Sequence, residues 1–140
     1  MQHGDQITDA FYRELANDPE AAAIVDGRVE QLKATHKVWM EGLFCGEYGD
    51  DYFNQRYKIG VVHVNAKIDP FFVEVVTSFL RRKFTEILSS NQQALEATLA
   101  ILDLDAMIII GAYHEDRMNR MSEVTGMNLP LLERLMSFKA

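Results

Sequence analysis

The sequence predicts an all-α fold, and three observations carry that expectation. Apolar residues recur at steps of three and four along most of the chain. Gly (8) and Pro (3) are too scarce for the many turns of an all-β fold. Asp18-Pro19 and Asp69-Pro70 each place a capping carboxylate ahead of a proline, a helix-start pattern. A length of 140 residues suits one domain, 1–140, able to bury a single core.

Each element follows from its spacing. Ile7, Ala10, Phe11 and Leu15 form the stripe of a first helix, from Asp5 to Asn17. A short piece follows Pro19 and stops at Asp26-Gly27. Val29, Leu32, His36, Trp39 and Leu43 predict a third helix from Arg28 to Phe44. A fourth carries Tyr52, Phe53, Tyr57, Gly60, Val61 and Val64, with Asp50 or Asp51 as its cap. Pro70 opens the fifth, whose inward residues are Phe72, Val75, Val76, Phe79, Phe84, Ile87 and Leu88; Arg81, Arg82 and Lys83 mark its polar side, and Ser89-Ser90 break it. The sixth starts near Asn91 and runs past Tyr113 on Leu95, Leu99, Leu102, Ala106, Ile109 and Ile110. Ile108 lies off that stripe, so more than one neighbour must cover the helix: one is the domain itself, and the other could be a second copy of the chain. A last helix, Leu129 to Phe138, is a domain end or the start of a linker (129–140) to a further module. Ile59 to Ala66 and Met107 to Ile110 are β-branched enough for strands, but each lies inside a longer helical pattern.

Charge and composition exclude several classes. A net charge of −7 and a pI near 5.0 repel phosphate backbones, so nucleic acid is not the partner. Ala106 to Tyr113, the longest apolar run, is too short to span a membrane. Neither a secretory signal nor a second cysteine to pair with Cys45 is present, which suits the cytoplasm. GxSxG, HExxH and CxxC motifs are absent, and Gly42, Gly46 and Gly49 lack the Lys-Ser/Thr of a phosphate loop. Asp50-Asp51 reads as a helix cap, and Asp103 and Asp105 as a solvated edge of the sixth helix.

Four histidines remain as candidates. His3 sits at the terminus, and His114 opens the charged run His114-Glu115-Asp116-Arg117 of a solvated face. His36 is on the apolar stripe of the third helix. His63, between Val62 and Val64, has the most apolar setting of the four. A buried imidazole needs partners for its nitrogens, so His63 is either a core histidine bonded to a backbone carbonyl or a metal ligand. Aromatics crowd the first two-thirds of the chain, which suits a core or a flat apolar ligand between helices. Tyr12 and Thr35 could each put a hydroxyl into such a cavity, or bond locally.

These residues resemble the sensor globins, the haem domains of globin-coupled sensors related to protoglobins, and among them the haem domains of bacterial aerotaxis transducers. Asp9-Ala10-Phe11-Tyr12 resembles the Phe-Tyr pair of the family's distal helix. Leu32-Lys33-Ala34-Thr35 resembles its Leu-Lys-x-Thr, and Arg56 to Val64 its Arg-x-x-Ile-x-x-x-His segment. Pro70-Phe71-Phe72 resembles the start of the next helix, and Leu102 to Tyr113 the long last helix. The resemblance covers Ile7 to Tyr113.

The resemblance implies a globin fold shortened at its N-terminus, since only a few residues precede the distal helix. It implies haem b held by His63 as axial iron ligand. Tyr12 and Thr35 would line the opposite side, where a hydroxyl donor favours O2 over CO. Leu32, Trp39, Leu43, Phe44, Phe72 and Val76 would be apolar walls. His36, one residue beyond Thr35, lies ~100° around the helix and could swing toward the iron. The implied function is sensing of a diatomic gas, O2 before CO or NO, by a homodimer joined through its last long helices. The signal would pass to a C-terminal module or a separate partner. Three alternatives stand beside it: a haem-free interaction module, a haem enzyme acting on NO or peroxide, and a helical dimerisation domain without ligand. In the last of these, His63→Ala would change stability alone.

Overall fold

A computed structural model describes residues 4–137. Those residues form seven helices and no strand: α1 (Gly4–Leu15), α2 (Pro19–Val25), α3 (Val29–Leu43), α4 (Asp50–Asn65), α5 (Pro70–Leu88), α6 (Gln92–Thr125) and α7 (Leu129–Met136). His3 and Phe138, named in the sequence reading, lie outside the described residues.

Side-chain caps set most helix starts. Asp18 accepts from the backbone N–H groups of Glu20 and Ala21, both at 2.9 Å, with Pro19 in the first turn. Asp69 does the same for Phe71 ahead of Pro70, and Asn91 and Asn128 cap α6 and α7. α6 stops at Gly126, whose φ of 70° is the left-handed closure that glycine adopts without a Cβ penalty. α4 departs from expectation. Gly49 is its N-cap, without a side-chain cap bond, and Asp50 and Asp51 lie inside the first turn. There their carboxylates favour the positive end of the helix dipole instead of closing it.

Two apolar clusters hold the helices together. Ile7 and Phe11 of α1, Met40 and Leu43 of α3, Phe79, Leu80 and Phe84 of α5 and Leu102 of α6 make the first. Val73 of α5 with Ile109 and Tyr113 of α6 make the second, and Ile59 and Val64 of α4 pack against it. α6, whose 34 residues span ~50 Å, packs against α4, α5 and α7. That explains why both Ile108 and Ile109 are buried. Both candidate strand segments lie within helices, up to Asn65 in α4 and throughout Met107 to Ile110 in α6.

α4 meets α6 at very close range. A Cβ on Gly60 would stand 2.5 Å from the Ile109 carbonyl oxygen and 2.7 Å from Ala112 Cβ, so only glycine fits the crossing. Expectations about burial are corrected at Val75 and at Asp105. Val75 is 45% exposed, because the face of α5 that packs runs through Val73, Thr77, Leu80 and Phe84. Asp105 is not on a solvated edge but is 2% exposed; only Asp103 is at the surface, paired there with Arg81.

Candidate functional site

His63 stands in the last turn of α4, three residues beyond the glycine that seats α4 on α6. Its ring is half-buried, and Nδ1 lies 2.8 Å from the Ile59 carbonyl oxygen one turn earlier. A carbonyl can only accept, so Nδ1 carries the proton and donates. Nε2 of the neutral ring then keeps its lone pair. This is the tautomer in which histidine ligates a metal, with the ring orientation fixed by its other nitrogen.

The segment after His63 is closely tied. Lys67 takes a positive φ of 56°, its N–H donates to Val64 O, and the Ile68 N–H donates to His63 O at 3.1 Å. Tyr113 Oη of α6 donates to Ile68 O at 3.0 Å. On either side of this turn two apolar side chains are open to solvent, Val62 at 63% and Phe71 at 66% exposure.

α1 and α3 pack against each other and carry Tyr12, Thr35 and His36. Tyr12 is half-buried, and burial pushes its phenol up to about 12, so it stays a proton donor across the physiological range. Its ring stands edge-on to Phe11 and to His36, with centroids 5.0 and 6.1 Å away. Thr35 is exposed, and its hydroxyl donates to Leu32 O one turn back, at 2.9 Å. His36 is enclosed by Phe11 and Trp39, each with a ring centroid 5.1 Å away, and its Nδ1 lies 2.9 Å from Thr8 Oγ1. Its Nε2 is buried without a hydrogen-bond partner among the described residues. Burial pushes the His36 pKa down to about 4, which keeps the ring neutral.

The expected wall residues divide. Leu32, Phe72 and Val76 are half-buried, and Val76 packs against the first core cluster. Phe44 is 40% exposed, with its ring 5.7 Å from Phe84. Leu43 is wholly enclosed in the core. Trp39 turns its indole to α6, donating from Nε1 to Asp105 Oδ2 at 2.9 Å. Thus Tyr12 and Trp39 both stand against His36, while the His63 ring bonds to Ile59 O of its own helix.

Sequence reasoning missed the polar cluster that ties the two sides together. The buried Arg56 of α4 places Nε 2.6 Å from Asp105 Oδ1 and donates from Nη2 to Trp39 O at 3.1 Å. Tyr52 Oη also donates to Asp105 Oδ1, at 2.9 Å, and the guanidinium lies 4.5 Å from the centre of the Tyr52 ring. Burial pushes the Asp105 carboxyl up, against the pull of Trp39, Arg56 and Tyr52. α3, α4 and α6 therefore meet at one carboxylate. A signal was present: Asp105 falls on the stripe of Leu102, Ala106 and Ile109, and Arg56 lies between Tyr52 and Gly60 at steps of four.

The profile of the Protoglobin family matches residues 1–119. The globin domain of the Geobacter sulfurreducens globin-coupled sensor is similar in structure, with a TM-score of 0.73 and 27% sequence identity over 80% of each chain.

Proposed function

Because the chain belongs to the protoglobin family, we propose that it is a sensor globin that binds haem b through His63 and detects a diatomic gas, O2 before CO or NO. Its all-α fold is a globin fold. The observation that carries the haem assignment is the Nδ1–H bond from His63 to Ile59 O, which leaves Nε2 as a fixed, neutral donor to iron. His63 would hold the haem through Nε2. When bound, haem iron supplies reversible ligation of the gas.

The remaining roles belong to the chain. Tyr12, kept protonated by burial, donates a hydrogen bond on the side facing His63. Thr35 spends its proton on Leu32 O and serves there as packing and as an acceptor. Leu32, Phe44, Phe72 and Val76 exclude water, while Trp39 and Leu43 support that wall from the core. A shift of His63 moves α4, and α4 is locked to α6 at Gly60 and at the Arg56–Asp105 pair. Packed elements at such close range respond by discrete displacement rather than by yielding. α6 thus carries the change toward a homodimer contact along α5 and α6, and through 129–140 toward a C-terminal module or a separate partner. No described helix is long and apolar enough to cross a membrane, and the acidic charge disfavours nucleic acid; we read the chain as a cytoplasmic sensor rather than an enzyme.

Expression with haem available tests the reading. One haem per chain by pyridine haemochromogen assay, with reversible spectral changes on O2 and CO, supports it. A purified protein without haem after such expression contradicts it and favours the interaction module.

A further inference from the structure

α3 packs on α1, and α4 on α6, with little direct packing between α3 and α4. One buried junction joins the two helices. Arg56 of α4 donates from Nη2 to Trp39 O of α3 at 3.1 Å. Its guanidinium lies against Gly42, where a Cβ would stand 2.5 Å from Nη2, so α3 leaves the arginine a gap that glycine alone provides. Asp105 of α6 then takes hold of both helices. Its Oδ2 accepts from Trp39 Nε1 and its Oδ1 from Tyr52 Oη, each at 2.9 Å, with Arg56 Nε 2.6 Å from Oδ1 as an ion pair.

A carboxylate offers acceptor sites only, so donors from α3 and α4 converge on the same two oxygens. Bonds to an ionised acceptor are roughly twice as strong as neutral ones. Asp105 is 2% exposed, and out of water a donor pulled off it finds no substitute. A movement of α4 against α6 must therefore either break the Trp39 bond or bring α3 along, and the cost of the first favours the second.

We propose that Asp105 is a positioning residue for gas binding: acting through Trp39 and Arg56, it fixes the spacing of α3 and α4 and relays a change at His63 to the α3 side of the site. This rests on haem being held by His63, with α3 on the opposite wall. Linkage makes such coupling reciprocal, so loosening the junction alters the iron–His63 bond and the gas affinity together.

The test uses the full chain, with and without haem. In the haem-free protein, Asp105→Asn should shift the fluorescence emission of Trp39, the only tryptophan of the chain. In the haem-loaded protein, the wild type is compared with Gly42→Ala and Trp39→Phe by haem content, by the Fe–His stretching band of the ferrous form in resonance Raman, and by O2 and CO affinity. Gly42→Ala crowds Arg56 from the α3 side; it should keep its haem, shift the Fe–His band and change gas affinity by about fivefold, the lower end of coupling between sites. Trp39→Phe removes one donor to Asp105 and spares the Arg56 pair, and should shift the band likewise, although Trp39 and His63 are on different helices. An unmoved Fe–His band in both variants overturns the role of Asp105 and leaves the haem assignment standing, even where gas affinity changes, because the effect is then confined to the α3 side. An unshifted Trp39 emission in Asp105→Asn overturns it too. A wild type that takes up no haem overturns the haem assignment and the proposal with it. If Asp105→Asn fails to fold, the Gly42→Ala spectrum decides.

Discussion

Replacing Arg56 with Met should cost the haem-free protein about 3 kcal/mol of unfolding free energy. The change removes the Arg56–Asp105 ion pair at 2.6 Å, the Nη2 bond to Trp39 O at 3.1 Å and the stacking of the guanidinium on Tyr52. Asp105, 2% exposed, is left with Trp39 and Tyr52 as donors and no cation. Breaking one side of a buried pair costs ~3–5 kcal/mol, and the two surviving donors place this site at the lower end. Truncating both partners, as Arg56→Met with Asp105→Leu, removes the stranded charge as well. The double variant should therefore be less damaged than the sum of the singles, with a coupling of about 2 kcal/mol. For a domain of this size, ~3 kcal/mol lowers Tm by roughly 10–15 °C. Urea unfolding followed by circular dichroism, with calorimetry in parallel, measures all four members of the cycle. A single-variant loss under about 1 kcal/mol, or strict additivity, would refute the claim that this pair is buried and pins α3, α4 and α6 together.

Further outcomes follow from other parts of the molecule. Gly60→Ala forces a Cβ against the Ile109 carbonyl and Ala112, and should destabilise by about 1–3 kcal/mol while loosening haem retention; unchanged Tm and haem content would show that α4 does not approach α6 this closely. The neutral His36 predicts acid sensitivity of the haem-free protein. Its folded pKa of about 4 lies below the ordinary imidazole value of 6.5, so the unfolded chain takes up the proton first. Stability should be flat above about pH 6.5 and fall by ~1.4 kcal/mol per unit down to about pH 4. His36→Phe should flatten that slope in pH-dependent urea titrations, and a slope that persists would assign it to another group. Tyr12→Phe should speed O2 dissociation by roughly tenfold, the worth of one hydrogen bond to a polar ligand, with little effect on CO; stopped-flow rates that change equally for both gases would remove Tyr12 from the donor role.

What was legible in the sequence was what local physics writes. Asp18-Pro19 and Asp69-Pro70 cap their helices because a short carboxylate reaches the next free N–H groups without help from the rest of the fold. Ile59 to Asn65 is helical despite its β-branched residues, because the stripe from Tyr52 through Arg56 to Gly60 repeats at four-residue steps. Asp105 was misread because its partners are 53 and 66 positions away, at Tyr52 and Trp39, and no local pattern reports them. The same holds for Val75: the helical period alone left two faces of α5 open, and the partners settled which one packs. Asp50 failed as a cap for a narrower reason, since Gly49 takes the extended conformation that an N-cap requires. The candidate site was legible at Tyr12, His36 and His63 as residue types in apolar company. The tautomer of His63, the local bond of Thr35 and the unpaired nitrogen of His36 needed the packed chain.

The central claim is a bond from His63 Nε2 to haem iron, and it is tested most directly by cavity rescue. His63→Gly is expressed with haem, and its absorption and electron paramagnetic resonance spectra are recorded with and without free imidazole, beside the wild type. The account predicts that the variant loses haem or its axial nitrogen signature, and that imidazole restores the wild-type spectrum. A His63→Gly protein with full haem content and an unaltered spectrum before imidazole is added would contradict it.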